Sequence, residues 1–550
     1  MITAVFSLLA QGACDVTVIQ GRIETPTKTH EALAIASGRV RQIGTMAQMP
    51  SVEEGCLIEL ADDETAFPGL TDSHVHLIGI GFREMELNLD QARSVRDVQE
   101  ALRRKATEQL EGIIAGRGWI ETAWPEGRAL NAADLDAVVS DRPVFLVRAD
   151  GHAAALNSAG LEAAQITDDT PDPVGGRIVR DADGKATGYL IDAAMDLVSP
   201  LLPQVDDERR REALRRGAEV YASRGWTSVH NMSVGAEELR LMEELAASGE
   251  LPLRVANFVT QDAMPGLIEA GPGCDETGLV CHLGVKFYAD GALGSRGALL
   301  KEPYADEPGT IGLRLLTEDD AKKAYRQAVD GGLQVTTHAI GDRANADVLS
   351  WYEELREDYP RAVFRIEHAQ IVSPSDIEQF SEVGVIASMQ PSHAVGDLHF
   401  AEDRLGEERL EGAYAWNSLA SEGTLIVFGS DAPVEQGDPR IELYAASERR
   451  DLSGFSGENW HPEEALGRAE TLALFTTAPA LAIGRGGSLG TLAPGFAADL
   501  SVFRGDPFAG PEEAEAVATM IGGAWVSGRY APPPAPVEDE EVEEDAEDGR

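Results

Sequence analysis

Two histidines one residue apart, His74 and His76 in FPGLTDSHVH, begin a set of six residues with the chemistry of metal ligands. The others are Lys286 in VKFYADG, His338 in VTTHAIGD, His368 in RIEHAQ and Asp431 in VFGSDAPVE. On a strand, residues i and i+2 face the same side, so the imidazoles at 74 and 76 can grip one ion. Taken alone, a His-x-His pair fits solvated or core-satisfied histidines equally well. His338 and His368 argue against that, because each ends an apolar run where an unpartnered imidazole costs about 1–3 kcal/mol. Imidazole and carboxylate together suit zinc and similar borderline metals, so one or two divalent ions, zinc foremost, are the expected cofactor.

Asp431 follows the apolar run Leu425-Ile426-Val427-Phe428. A carboxylate there can touch a metal and take a proton from water that the metal has brought to a pKa of about 7, which makes Asp431 the candidate general base. It also suits a helix N-cap ahead of Ala432-Pro433. Lys286 is one of only seven lysines, so its place in an apolar strand runs against the composition. Buried beside imidazoles it would lose its proton, and a neutral amine can capture carbon dioxide to give an anionic carbamate able to bridge two metals. The alternative is an ordinary lysine paired with Asp290.

Ligands from separate segments converge only if a scaffold gathers them. Eight apolar segments, 67–74, 143–150, 227–232, 285–290, 333–339, 364–370, 384–390 and 424–431, read as strands buried on both faces. Polar residues stand at their C-terminal ends, where the active site of a (β/α)8 barrel lies. The predicted fold is therefore α/β, a distorted TIM barrel over 67–489. The polar, Trp-bearing stretch 116–135 and the stretch 155–200, with a hairpin on Asp183-Gly184, are expected as insertions on its catalytic face. Short strands at 15–19, 32–35, 40–43 and 56–60 have counterparts at 499–503, 516–521 and 524–526, so 15–66 plus 490–530 is predicted to form one composite β-sandwich.

The chain has 550 residues, 94 acids against 46 bases and a formal charge of −48. Residues 538–548 hold only nine of those acids, so the body is acidic too, which argues against nucleic acid and anionic lipid as partners because both would be repelled. No apolar run reaches the roughly 18 residues of a membrane span. A small molecule is the expected partner, with a homodimer admissible. The four cysteines, Cys14, Cys56, Cys274 and Cys281, lack the close paired spacing of a metal knot and predict at most one bridge. AVFSLLA at 4–10 followed by Gly12-Ala13-Cys14 has the look of an export or lipoprotein signal remnant over 1–14, yet no basic residue precedes Arg22, which leaves cytoplasmic and exported locations both open. The acidic tail 531–550 reads as disordered.

PGLTDSHVH, GRGW, RPVFLVRADGHAAALNS, GWTSVHNM, VKFYADGALGSR, THAIGDRAN, RIEHAQ, SMQPSHA, FGSDAPVE and LGTLAPGFAADLSVF together resemble the amidohydrolase superfamily, in its family 3, YtcJ-like branch with N-substituted formamide deformylase. The resemblance covers nearly all of 15–530. It implies a one- or two-metal centre held by His74, His76, carbamylated Lys286, His338, His368 and Asp431, and hydrolysis of amide-like C–N bonds. Relatives commonly carry Asp after the histidine of the third-strand phrase, where this chain has Asn231, so no acid role is assigned there. His152, Trp119, Arg296 and Asp342 are candidate substrate contacts, although His152 can equally fix the Asn157 loop and a large aromatic is often core. Deamination on the same barrel usually needs a glutamate shortly after the fifth-strand histidine, and Ala-Ile-Gly-Asp follows His338 instead. Ester or lactone hydrolysis uses the same attack. A non-catalytic binding or signalling homologue would be expected to have lost a ligand, and none is lost.

Overall fold

The computed structural model describes residues 14–531 apart from 91, 122, 123, 150, 152, 174, 175, 203, 204 and 458. The signal-like segment before Cys14 and the acidic tail after Ala531 lie outside the described residues.

Eight parallel strands form the barrel: β1 (Leu70–Val75), β2 (Trp226–Val234), β3 (Arg254–Val259), β4 (Val280–Tyr288), β5 (Gln334–Ala339), β6 (Phe364–His368), β7 (Ile386–Met389) and β8 (Ile426–Phe428). Neighbours in space follow chain order from β1 to β8. The Asp431 N–H donates to the His74 carbonyl at 2.8 Å and the His76 N–H to that of Ala432 at 2.8 Å, joining the last strand to the first just past the end of β8. Nearly every strand residue is buried, as expected of strands covered by a barrel interior on one face and by helices on the other. Two of those helices, α1 (Leu77–Met85) and α2 (Asp207–Arg224), touch backbone to backbone. A Cβ on Gly81 would stand 1.7 Å from the Ala213 carbonyl oxygen, so only glycine permits this approach.

The eight strands differ from expectation at one position. The segment expected as 143–150 does form a strand, Val144–Arg148, but it is not part of the barrel. It belongs to a separate six-stranded sheet running Gly176–Arg180, Ala186–Asp192, Ala153–Leu156, Val144–Arg148, Ile114–Trp119, Leu87–Asn88. This sheet has its own apolar clusters, one around Leu102, Trp119 and Leu146 and another around Phe145, Leu156 and Leu190. The strand missing from the expected set is β3, whose RVANFV pairs in parallel with both β2 and β4. The two expected insertions are thus one continuous excursion between α1 and α2, and Val144–Arg148 runs through its middle.

The short strands at both ends of the chain meet in one eight-stranded sheet. Glu64–Pro68 pairs antiparallel with Leu500–Gly505, opposing Ala66 to Val502. Ile19, Leu33, Val502, Met520 and Trp525 fill its core. The expected strand 67–74 is divided by Gly69, whose N–H donates to the Asp499 carbonyl at 2.8 Å, so its first part serves the terminal sheet and its second the barrel. Arg254 at the start of β3 grips the Asp499 carboxylate with two bonds of 2.8 and 3.0 Å, tying barrel to sheet. Two disulfides are present, Cys14–Cys56 and Cys274–Cys281, where at most one was expected. Each joins segments that only the folded chain makes adjacent: the start of the terminal sheet, and the short Gly273–Cys274 strand paired with β4. No helix among the described residues is long and apolar enough to cross a membrane.

Candidate metal centre

His74 sits near the end of β1 with 1% of its surface exposed. Its Nδ1 lies 2.8 Å from Glu367 Oε2 on β6, and a carboxylate there can only accept. Nδ1 therefore carries the proton, and the Nε2 lone pair faces the barrel axis. Glu367 is held in turn by Arg365, which donates to it at 2.9 and 3.3 Å and also to the Ser73 carbonyl, Ser388 and His230 Nδ1. His368 repeats the arrangement, its Nδ1 placed 2.8 Å from Gln390 Oε1.

Around His74 Nε2 stand Lys286 Nζ at 3.3 Å and Asp431 Oδ1 at 3.4 Å, and the same Asp431 oxygen is 3.3 Å from His76 Nε2. The ring centroids of His74 and His368 are 4.9 Å apart, and those of His368 and His338 4.5 Å. The six residues singled out in the sequence thus form one contiguous cluster at the C-terminal mouth of the barrel. Asp431 (φ +63°) and His368 (φ +75°) both adopt the left-handed backbone conformation. For residues other than glycine this costs on the order of 1–3 kcal/mol and tends to occur at functional sites.

Electrostatics sort the cluster into lone-pair donors and an anion. Burial pushes His74 down to about 4 and His338 to about 3, with Lys286 nearby adding to both, and burial holds His368 well below the usual imidazole range. All three are neutral at pH 7, the state in which an imidazole can ligate. Burial alone would raise Asp431, but its interactions with His74, His76 and His368, which include a hydrogen bond with His76, hold it well below the usual carboxylate range. Burial lowers Lys286 to about 8 against the opposing pull of Glu367 and Asp431.

This donor set fits a divalent ion. The ligand atoms of His74, His368 and Asp431 lie within 4.8 Å of one another, and three ligands at 2.0–2.2 Å from one ion must lie within about 4.4 Å, so a small closure suffices. His338 Nε2 is buried and makes no hydrogen bond among the described residues, although Asp290 Oδ1 stands 3.4 Å away. A bound cation would satisfy it.

Lys286, 2% exposed, faces His74 rather than pairing with Asp290. The Asp290 carboxylate instead accepts the N–H groups of Leu299, Ile340 and Gly341. The candidate substrate contacts are placed otherwise. Trp119 is fully buried in the inserted sheet and donates its indole N–H to the Leu146 carbonyl, so packing accounts for it. Arg296 is engaged by Asp306 through two bonds of 3.1 and 2.9 Å, and Asp342 accepts the Lys301 N–H at 2.8 Å. His152 lies outside the described residues. Asn231 accepts the Leu77 N–H at 2.9 Å, capping the first turn of α1.

Sequence reasoning missed Glu367, Arg365, Gln390 and His393. The alternation Arg-x-Glu-His within a buried strand was the available signal for the first two, since charges on a wholly buried strand must answer something. His393 stacks 5.8 Å from His368, and its Nε2, buried and without a hydrogen-bond partner among the described residues, stands 3.8 Å from Asp431 Oδ2. Tyr288, half-exposed at the end of β4, lies 5.5 Å from His338 and shares a 2.6 Å hydrogen bond with Ser233.

Fold and mouth together define a β/α barrel whose ligand-type side chains converge where barrel enzymes work. The amidohydrolase family matches residues 61–529. The chain is 34% identical over 495 residues to the putative amidohydrolase YtcJ of Bacillus subtilis (strain 168), which spans 87% of this chain and 92% of that protein. It is 25% identical over 515 residues to N-substituted formamide deformylase of Arthrobacter pascens, 90% of this chain and 94% of that one. The crystal structure of an uncharacterized metal-dependent hydrolase from Pyrococcus furiosus superposes with a TM-score of 0.73 at 29% identity, covering 90% of this chain and 100% of that chain. The chain belongs to the amidohydrolase family, and so to the metal-dependent hydrolases of that superfamily.

Proposed function

We propose that the protein hydrolyses an amide-like C–N bond, of an N-substituted formamide or another N-acyl compound, with Asp431 as general base. The observation that carries this reading is the convergence of His74, His368 and Asp431 at the barrel mouth, their ligand atoms within 4.8 Å of one another and the Asp431 carboxylate also 3.3 Å from His76 Nε2. The ion would be held by His74, His76, His338, His368, Asp431 and a carbamate on Lys286, zinc foremost in one or two copies, and would supply Lewis acidity toward a carbonyl and toward water. In forming the carbamate, the neutral Lys286 amine adds to the carbon of carbon dioxide. The N–C bond forms, the amine proton leaves to solvent, and an anion remains where the imidazoles bring no charge.

Asp431 takes a proton from the attacking water and returns it to the nitrogen as the C–N bond breaks, so the amine departs neutral. Glu367 and Gln390 fix two of the imidazoles in orientation and tautomer. His393, with its free Nε2 beside Asp431, can donate to the substrate oxygen as negative charge gathers there. The likeness to a formamide deformylase supports the amide among substrates that share this attack. The test is metal analysis of the purified protein, then assay of the zinc-reconstituted protein on N-formyl, N-acyl and cyclic amides beside matched esters and lactones. Turnover of amides is expected; hydrolysis confined to esters or lactones would move the proposal to those bonds.

A further inference from the structure

A cavity of about 290 Å³, open to solvent, lies between α1, the inserted sheet and the start of α2. One wall is Gly79, where a Cβ would stand 3.1 Å from the Pro433 ring and 3.8 Å from His76 Cβ. Gly79 follows His76 by three residues in the first turn of α1, so this wall of the cavity adjoins the segment that carries one of the candidate ligands. Phe82, Val147, Leu202 and Val205 give it an apolar floor. Its polar groups are Arg117, Arg209 and Glu86. Arg209 and Glu86 pair at 3.2 Å and cancel. Arg117, from the GRGW phrase on Ile114–Trp119, is half-buried; among the described residues its side chain makes no direct hydrogen bond or ion pair, and Asp90 and Glu86 act on it only from beyond ion-pair distance. Nearby Asp90 is turned to Arg83 at 3.7 Å.

In a chain with 94 acids and 46 bases, a half-buried guanidinium with no carboxylate in direct contact is the rarer outcome. Its planar set of donors matches a carboxylate in bidentate fashion. Glu86 and Asp90 on either side oppose a dianion, so a phosphate is a poorer match than a singly charged carboxylate.

We propose that this cavity is a substrate subsite and that Arg117 reads a carboxylate there, so that the preferred substrate is an amide joined through an apolar spacer to a carboxylate. The inference rests on the amide-hydrolase reading above. The amide lies at the mouth of the barrel, the spacer crosses Phe82 and Val147, and the carboxylate ends on Arg117. At roughly the lower limit of ligand-pocket volumes, the cavity suits a short spacer rather than a long acyl chain.

The experiment compares two amides that differ only at the far end, one carrying a carboxylate and the other the uncharged primary carboxamide, on zinc-reconstituted protein. The carboxylate should be preferred in kcat/KM by roughly 10–100-fold, mostly through KM. Arg117→Leu should collapse that ratio toward one and Arg117→Lys should keep part of it, because charge survives while the fork is lost. Calorimetric titration with hexanoate and hexanamide reads the cavity without turnover: hexanoate should bind wild type more tightly than hexanamide, and Arg117→Leu should lose the difference. Equal kcat/KM for the pair in wild type, or equal binding of the two titrants, would overturn the subsite, and neither measurement needs the variant to fold. If neither amide is hydrolysed while hexanoate still discriminates, the amide reading fails and the carboxylate site stands.

Discussion

The backbone N–H of Asp431 donates to the carbonyl of His74 across 2.8 Å, so the residue proposed as general base is also the one that closes the barrel. With its N–H committed to the first strand, a φ of +63° turns its carboxylate onto His74 and His76. Position and chemistry can therefore be separated by substitution.

Asp431→Asn preserves both the backbone bond and a residue tolerant of positive φ. Thermal stability should stay within about 1 kcal/mol of wild type, while kcat falls about 10²–10⁴-fold. Asp431→Ala should lose activity alike and be less stable than the Asn variant, because alanine tolerates this backbone poorly. Paired melting curves and initial rates decide it.

Glu367 is expected to act through His74. Glu367→Gln removes the anion that fixes the imidazole and leaves Arg365 buried with its charge unanswered. Metal affinity, measured by competition with a chelator, should fall about 10–100-fold. Stability should drop by roughly 3–5 kcal/mol, as when one partner of a buried pair is removed. An unchanged chelator midpoint would assign Glu367 to folding alone.

Lys286→Ala should lose metal and activity together, and a short carboxylic acid added to the buffer should restore part of both by supplying the missing anion. Lys286→Arg should not be rescued, because it fixes a positive charge where an anionic ligand is required. Full metal content and turnover in Lys286→Ala would remove the carbamate from the mechanism.

Asp290 provides a pH test on the metal-free protein. Burial raises its carboxyl to about 7 against the lowering effect of three backbone N–H donors. Between about pH 4 and 7 the folded protein holds a proton at this group that the unfolded chain has released, so its contribution to stability is present at low pH and falls as pH rises to 7. The slope from this group approaches about 1.4 kcal/mol per pH unit. Asp290→Asn should flatten the denaturation-midpoint profile across that window; an unaltered profile would show the carboxylate to be ionised throughout.

The cluster was legible because a barrel displays its ligands at strand ends, and strand ends are marked by a change from apolar to polar. His74, His338 and His368 stand at such changes, and Lys286 was conspicuous in a lysine-poor chain. The sheet to which a strand belongs carries no such mark. LVRAD at 146–150 and ANFVT at 256–260 are both apolar runs ending in polar residues, and only pairing partners distant in sequence place the second in the barrel and the first outside it. Trp119 illustrates the same limit: its indole satisfies the Leu146 carbonyl of a neighbouring strand whose pairing could not be read. Glu367 was missed because a glutamate in a strand is ordinarily taken to face water, whereas both faces of this strand are covered.

The composite terminal sheet has a consequence for the order of events during synthesis. Thr65 must pair with Phe503, 438 positions later, and at about 5–20 residues per second that partner leaves the ribosome roughly 20–90 s after it. Until then Glu64–Pro68 has one edge unpaired and Ala66 lacks its cover, while Gly69 already joins this strand to β1. The barrel and its clustered imidazoles can gather first, but their attachment to the terminal sheet must wait for the last strands. A nascent chain stalled before Leu500 would display this open edge, which is the state most exposed to strand pairing between chains.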